Sequence, residues 1–170
     1  MGGSTDTGGN QYLRFHLAGE SYAFDVLKAR EVLFLVKITP LPSSLDFLAG
    51  VINLRGSVIP IVDLRKKFNL AVTPDSADTA IIIVDVSIGG EAAVMGALVD
   101  GVKGVIRCDP SQLEPPPRFG MKVKTGMVKA IAKYDDQFVV ILDADQVFSE
   151  KELWLARDGV EDGRLVGDEA

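Results

Sequence analysis

The sequence predicts an all-β protein, built as small barrels or a sandwich, with one short helix near the C-terminus. Its apolar segments are short and lie between turn-forming glycine, proline, asparagine and aspartate residues. Strands this short and this frequent favour barrels or sandwiches over a parallel α/β sheet. The chain also resembles itself at an offset of about 75 to 80 residues, which indicates two similar units.

The predicted strands follow from the apolar pattern. The first covers 11–17 and is predicted as a half-buried strand, with Leu13, Phe15 and Leu17 on one side and Tyr12, Arg14 and His16 on the polar side. The later strands are predicted at 21–25, 32–39, 51–54, 58–64, 79–86, 92–100, 102–107, 125–133 and 137–142. Helical turns are predicted over 26–31 and around 45–48.

The self-similarity is carried by short segments that match in residue type. The matches are Asp25 with Asp100, Lys28 with Lys103, 50–52 with 126–128, 61–63 with 141–143, and Phe68 with Phe148. The alternative is chance resemblance among short strands, whereas periodic self-similarity usually indicates repeated units.

The most distinctive stretch, 50–68, predicts a strand, a tight turn, a second strand and a helical turn. The reversal lies at 53–56, where Gly56 can adopt a positive φ. The second strand, 58–64, is almost wholly apolar, which is typical of a strand covered on both faces. Arg55 is placed at the tip of this hairpin, where a guanidinium is well suited to recognise a partner.

A short helical turn is predicted after this hairpin. Asp63 is placed to cap residues 64–68 by accepting a backbone hydrogen bond. Within the turn, Arg65, Lys66 and Lys67 are predicted to face solvent.

The same stretch resembles the signature of the CheW-like family, the bacterial chemotaxis coupling proteins. The matching residues are Gly50, Val51, Asn53, Leu54, Arg55, Gly56, Pro60, Asp63, Leu64, Arg65 and Phe68. A weaker resemblance extends from Gln11 to Trp154. It implies two five-stranded SH3-like barrels packed around a shared apolar core.

The chain is accordingly divided into segments whose boundaries are approximate, because strands can be exchanged between lobes. They are a flexible tail at 1–10, a first lobe at 11–68, a linker at 69–78, a second lobe at 79–148, a C-terminal helix at 149–158 and a frayed tail at 159–170. The helix is predicted from a capping box of Ser149 and Glu152, and Gly159 ends it.

Composition restricts the class of protein. The 170 residues carry a net charge of −6, which argues against nucleic acid as a partner, since proteins that bind it usually carry a basic surplus. The single cysteine, Cys108, excludes an internal disulfide and fits a reducing compartment. No apolar run approaches the roughly 18 residues of a membrane span, and residues 1–10 lack the features of a signal peptide. The prediction is a soluble cytoplasmic protein with no direct membrane insertion.

Groups suited to catalysis or metal binding are few. His16 is the only histidine and is predicted at the surface, and Cys108 lacks a second cysteine or an evident histidine partner. No phosphate-binding glycine motif stands between a strand and a helix. The sequence therefore predicts no catalytic residue, no metal and no cofactor. The alternative, from a different functional class, is a two-lobed β-barrel protein that binds a ligand or acts as an enzyme.

The segment 32–36 is apolar on both faces, which a half-exposed strand should not be. It either lies between the lobes or forms a protein-binding face. Alternation places Leu33 and Leu35 in the core. Phe34 and Val36 then point outward and form a possible extra interface.

The resemblance implies an adaptor that couples the cytoplasmic tip of a methyl-accepting chemoreceptor to the regulatory domain of a CheA-type histidine kinase. It implies that the receptor tip lies in the groove between the barrels. The receptor-binding positions it assigns are Glu31, Gly50, Asn53, Arg55 and Gly56.

Kinase contact is expected at apolar barrel ends, with Val102, Val105 and Ile106 as the candidate residues. The adaptor would be recruited to receptor arrays at the inner face of the membrane. The alternative is an adaptor of the same fold in a pilus-motility pathway or another receptor–kinase pathway.

Overall fold

The fold is described for residues 11–34, 36–42, 45–117 and 123–148 of a computed structural model. The strands are β1 (Gln11–Leu17), β2 (Glu20–Asp25), β3 (Ala29–Phe34), β4 (Leu48–Leu54), β5 (Ser57–Asp63), β6 (Ala80–Ile88), β7 (Glu91–Val99), β8 (Gly101–Arg107), β9 (Leu113–Glu114), β10 (Val128–Tyr134) and β11 (Gln137–Leu142). The helices are α1 (Leu64–Lys67) and α2 (Ala144–Val147), and 3-10 turns cover Pro110–Gln112 and Thr125–Met127. The predicted tails and the predicted helix at 149–158 lie outside the described residues.

The strands form two sheets, which confirms the predicted mainly-β fold class. The first sheet has the order β9-β10-β11-β2-β1-β8, and the second has the order β3-β6-β7-β5-β4. One pair in each sheet is parallel, β11 with β2 and β5 with β7. Each sheet therefore takes strands from both of the lobes predicted at 11–68 and 79–148. That division into lobes stays a prediction.

The two sheets have equivalent strand orders, which supports the predicted internal repeat. The order β10-β11-β2-β1-β8 corresponds position by position to β4-β5-β7-β6-β3. Irregularities also recur at equivalent places, between Leu48 and Gly50 on β4 and between Val128 and Ala130 on β10. The helices α1 and α2 follow equivalent strands and are capped by Asp63 and Asp143.

The register corrects part of the sequence alignment of the repeat. Leu48 pairs with Val62 and Val128 pairs with Leu142, so Gly50 corresponds to Ala130. The predicted match of 50–52 with 126–128 is therefore wrong by four residues. It followed a shared glycine, whereas backbone pairing is fixed by the strands on either side.

The parallel pairs give a second correction. Ile61 pairs with Gly96 and Ile141 pairs with Ala23, so Ala23 corresponds to Gly96. Asp25 therefore corresponds to Leu98, and its predicted match with Asp100 is wrong by two residues. The matches of 61–63 with 141–143 and of Phe68 with Phe148 are confirmed, because both segments run from a parallel strand through a capped helix to a phenylalanine.

Most of the buried apolar residues form one core between the sheets and one inside the curve of each sheet, and Leu41 and Val51 form a small separate cluster. The shared core takes side chains from both sheets, including Phe15, Phe24, Val62 and Ile82. The first inner core takes side chains from the first sheet and the loop that follows β8. They are Tyr12, Ala23, Ile106, Cys108, Ala130, Ala132, Val139 and Ile141. The second inner core takes side chains from the second sheet alone. They are Ile52, Ile59, Ile61, Ile81, Ile83 and Leu98.

The curvature of each sheet brings its outer strands together. After β3 the chain returns to β4, where Thr39 and Val51 exchange two backbone hydrogen bonds of 2.8 and 2.9 Å. In the first sheet the short strand β9 follows β8 and pairs with β10. Residues on the first and last strands of a sheet can therefore lie close together in space.

Two local predictions are wrong. The helical turn predicted over 26–31 is instead a tight turn followed by β3, which begins at Ala29 because its backbone pairs with Val84 on β6. Tyr12 was predicted on the polar side of the first strand, but it is buried in the first inner core. Because the first sheet curves, the face of β1 that carries Tyr12 is also covered, and alternation along a single strand cannot reveal this.

Candidate functional site

The tip of the β4–β5 hairpin is a two-residue turn formed by Arg55 and Gly56. Leu54 and Ser57 are the last residues paired across the hairpin. Arg55 has φ +50° and Gly56 has φ +89°, the signs required by a type I′ turn. The side-chain oxygen of Asn53 accepts a 2.9 Å hydrogen bond from the backbone N–H of Gly56. The positive φ predicted for Gly56 is confirmed, whereas that of Arg55 was not foreseen.

Arg55 forms an ion pair with Glu31, so the structure brings together two of the predicted receptor-binding residues. Glu31 lies on β3 and Arg55 directly follows β4, the strands at opposite edges of the second sheet, and the two residues meet because that sheet curves. The Arg55 side chain is 69% exposed and that of Glu31 is 30% exposed. An exposed pair of this kind contributes about 0–1 kcal/mol to stability. The pair therefore orients a mostly free guanidinium and contributes little to holding the fold together.

Gly50 is buried beside the loop that leaves β3. Its φ is +144°, and a Cβ added there would lie 2.1 Å from the backbone oxygen of Thr39 and 2.9 Å from the Cα of Pro40. The missing side chain is what allows this loop to pair with β4. Gly50 supports the surface on which the hairpin lies, and its assignment to receptor binding stays a prediction.

Arg65 corrects the prediction that the basic residues of the short helix face solvent. The Arg65 side chain is 3% exposed. Its Nε and Nη2 donate hydrogen bonds of 3.0 Å to the two carboxylate oxygens of Asp63, and its Nη1 donates one of 2.9 Å to Asp100 Oδ1. Asp63 also accepts from the backbone N–H of Arg65 at 3.0 Å, which confirms the predicted helix cap. Lys66 is exposed as predicted, whereas Lys67 is half-buried and its ammonium lies over the ring of Phe47.

The Arg65 cluster joins the two sheets. Asp100 follows β7 of the second sheet, and its Oδ2 accepts a 2.7 Å hydrogen bond from the backbone N–H of Ala18 in the β1–β2 turn. The hydrogen bond to Asp63 raises the pKa of Arg65 above its ordinary value, against the lowering effect of burial, and Asp100 raises it further. The guanidinium is thus held charged. Neither spacing nor composition indicated this cluster, because its acids come from two separate parts of the chain.

The predicted kinase-binding residues differ in exposure. Val105 is 53% exposed, Val102 is half-buried against the shared core, and Ile106 is 5% exposed within the first inner core. Of these three side chains, that of Val105 presents most surface to a partner. The assignment of this group to kinase binding stays a prediction.

In the apolar segment after Glu31, Leu33 and Phe34 follow the predicted alternation, whereas Val36 is exposed but lines the same cleft as Leu33. Leu33 packs against the second inner core, whereas Phe34 is 53% exposed and Val36 is also exposed. Leu35 lies outside the described residues. The open end of the second inner core is a cleft lined by Leu33, Val36, Ile38, Asp75, Ile81 and Leu98, among others.

Replacing Phe34 with aspartate is expected to change the free energy of unfolding by less than about 1 kcal/mol, because the added charge remains in water. Leu33→Ala is expected to cost about 2 kcal/mol, because it removes apolar contacts with the second inner core. Urea denaturation of both variants measures the difference. Equal losses would contradict the exposed position of Phe34.

The described residues contain no group of three or more histidine, cysteine, aspartate or glutamate side chains arranged to hold a metal ion. Burial raises the pKa of the Cys108 thiol, and the charge of Asp109 adds to that effect, so the thiol is not activated as a nucleophile. No helix in the described ranges is long and apolar enough to cross a membrane.

A rigid two-sheet β domain that presents an arginine at a hairpin tip and several exposed apolar side chains belongs to the class of protein-binding modules. Comparison with known proteins agrees with this class. The chain matches the family model of the CheW-like domain over residues 11–152. It is 30% identical over 150 residues to the chemotaxis protein CheW of Klebsiella aerogenes, covering 88% of each chain.

Further relatives point the same way. The chain is 34% identical over 145 residues to the chemotaxis protein CheW of Thermotoga maritima, covering 82% of this chain and 88% of the relative. The crystal structure of the scaffolding protein TtCheW from Thermoanaerobacter tengcongensis matches with a TM-score of 0.73 at 38% identity, covering 82% of this chain and 92% of that one. The chain therefore belongs to the CheW-like domain family. Its role is that of a chemotaxis coupling adaptor.

Proposed function

We propose that this adaptor holds the cytoplasmic tip of a methyl-accepting chemoreceptor and the regulatory domain of a CheA-type histidine kinase on one rigid body. The receptor would bind the surface around the β4–β5 hairpin tip, where Glu31, Asn53, Arg55 and Gly56 lie together and Gly50 supports them. The observation that carries the proposal is the exposed Arg55 guanidinium, oriented by Glu31 on a two-residue turn. Arginines of this kind are frequent hot spots at protein interfaces.

The kinase would bind elsewhere on the chain, at apolar ends of the curved sheets. The exposed Val105 supports this placement, with Val102 and Ile106 as further candidates on the same strand, and Phe34 and Val36 offer an extra apolar surface. The adaptor would need no catalytic residue of its own. Two weak interfaces on one rigid body fix the distance between receptor and kinase, and multivalent assembly converts weak contacts into a stable array at the cytoplasmic face of the membrane.

Arg55→Ala is the test of the receptor surface. We expect the affinity for a soluble receptor-tip fragment, measured by isothermal titration calorimetry, to fall by at least about tenfold, as for an interface hot spot. The free energy of unfolding should change by less than about 1 kcal/mol, because the Glu31 pair is exposed.

Arg107→Ala is the matched control, since Arg107 is an exposed arginine at the end of β8 in the other sheet. It should leave receptor affinity unchanged, and Arg55→Ala should leave affinity for the kinase regulatory domain unchanged. Unaltered receptor binding by Arg55→Ala, with the fold intact, would refute the proposed surface. Binding only to receptor and kinase of a pilus-motility system would instead favour the alternative pathway.

A further inference from the structure

The chain passes from one sheet to the other at two crossings, and a charged residue lies at each of them. The first crossing joins β2 to β3 and ends at Lys28, and the second joins β7 to β8 through Asp100. Each of these residues forms an ion pair with a short helix. Arg65 Nη1 on α1 lies 2.9 Å from Asp100 Oδ1, and Lys28 Nζ lies 3.2 Å from both carboxylate oxygens of Asp145 on α2.

The two helix residues occupy the same position in the internal repeat, but their charges are exchanged. Arg65 and Asp145 each lie two residues after the aspartate that caps the helix, and the backbone N–H of each donates to that aspartate. On α1 the helix carries the cation and the crossing carries the anion, whereas on α2 the helix carries the anion and the crossing carries the cation. If the two helices carried the same charge, one of them would face a like charge at its crossing.

In both pairs the acid also accepts a backbone hydrogen bond that ties one sheet to the other. Asp100 Oδ2 accepts a 2.7 Å bond from the N–H of Ala18 in the β1–β2 turn of the first sheet. Asp145 Oδ1, on the helix that follows the first sheet, accepts a 2.9 Å bond from the N–H of Ser87 on β6 of the second sheet. The Lys28 and Asp145 side chains are 39% and 32% exposed, so water and salt reach this pair more easily than the buried Arg65.

We infer that the exchanged charges assign each helix to its own crossing and so fix how the two sheets are joined. The opposite charges stabilise the correct docking, and the like charges that would meet in the reverse arrangement exclude the wrong one. The joint matters to an adaptor because the proposed receptor and kinase surfaces lie on different sheets, so the joint sets the distance between them. The joint itself is independent of that proposal, because neither Arg55 nor Val105 takes part in it.

Asp145→Arg gives α2 the charge that α1 carries, so it measures the cost of docking a helix on the wrong crossing. We expect it to lower the urea midpoint of unfolding of the full chain by at least about 0.3 M more than Asp145→Gln, which removes the charge without reversing it. Adding Lys28→Asp to Asp145→Arg should raise the midpoint again by at least about 0.3 M, because the pair then has the polarity of Arg65 with Asp100. Equal midpoints for Asp145→Arg and Asp145→Gln, or no recovery in the double variant, would overturn the inference.

Salt and a control pair separate charge from the size of the new side chain. In about 1 M sodium chloride the difference between Asp145→Arg and Asp145→Gln should narrow, because salt screens partly exposed charges. A difference that salt leaves unchanged would come from the size of arginine and would contradict the inferred role of charge. The control is the exposed pair of Lys133 with Glu114, at 3.4 Å and outside both crossings, where Glu114→Arg and Glu114→Gln should differ by less than about 0.1 M. An equal difference at both pairs would show that the crossings are not special, and would also overturn the inference.

Discussion

Replacing Arg65 with methionine is expected to lower the free energy of unfolding by about 3–5 kcal/mol, the usual cost of removing one member of a buried ion pair. Methionine fills much of the volume of the arginine stem, so lost packing is a minor part of the effect. The larger part comes from Asp63, which is almost fully buried and loses the guanidinium that pairs with both of its carboxylate oxygens. Asp100 loses one of its hydrogen-bond partners as well, and with it part of the connection between the two sheets.

Urea denaturation followed by circular dichroism measures this loss. Lys66→Met is the control, because Lys66 is the next residue on the same helix, is exposed, and approaches Asp46 only to 3.9 Å. It should change the free energy of unfolding by less than about 0.5 kcal/mol. A loss below about 1 kcal/mol for Arg65→Met would mean that water reaches Asp63 and that the cluster is not a structural support.

The Arg65 cluster also shows where prediction from sequence ends. Asp63 was correctly identified as a helix cap, because capping depends on residues two or three positions away. The burial of Arg65 depends on Asp100, which is 35 positions away, and on the curve that brings both to one place. A run of three basic residues gives no local signal that separates the buried Arg65 from the exposed Lys66 and the half-buried Lys67.

In the sheets, too, the features that depend on neighbouring residues were predicted, and those that depend on distant residues were not. Every predicted strand has a counterpart, because apolar alternation and turn residues are local features. The pairing was not predicted, since the parallel contacts of β5 with β7 and of β11 with β2 join different parts of the chain. The repeat alignment was shifted because it matched a glycine and an aspartate by residue type, whereas the true correspondence is set by the pairing of the strands.

The candidate site was found through the hairpin motif, but its geometry was not. Asn53, Arg55 and Gly56 lie within four residues of sequence, which was enough to predict a tight turn but not the positive φ of Arg55. The contact of Arg55 with Glu31 requires the edges of the second sheet to meet, which the bridge between Thr39 and Val51 brings about. That bridge depends in turn on the absence of a side chain at Gly50.

Gly50→Ala is therefore expected to lower the free energy of unfolding by at least about 3 kcal/mol, through a steric clash and through backbone strain. Gly56→Ala introduces the backbone strain without the clash, so comparing the two variants separates the two effects. At Gly50 the new methyl group would lie 2.1 Å from the backbone oxygen of Thr39, so the loop must move, and φ +144° is strained for alanine. At Gly56 the backbone is strained in the same sense at φ +89°, but the space is open, so the cost should be about 1 kcal/mol.

Urea denaturation of both variants, followed by receptor-fragment titration at a temperature where each is folded, gives the decisive comparison. Gly50 is buried, so it makes no direct contact with a receptor. Weaker receptor binding by Gly50→Ala would therefore come from the displaced Thr39 loop and the changed geometry of the Glu31–Arg55 pair. Gly56→Ala should weaken receptor binding with little loss of stability, because it distorts the tip itself. Equal stability losses in the two variants would show that the loop yields without cost, and that Gly50 does not determine how the second sheet closes.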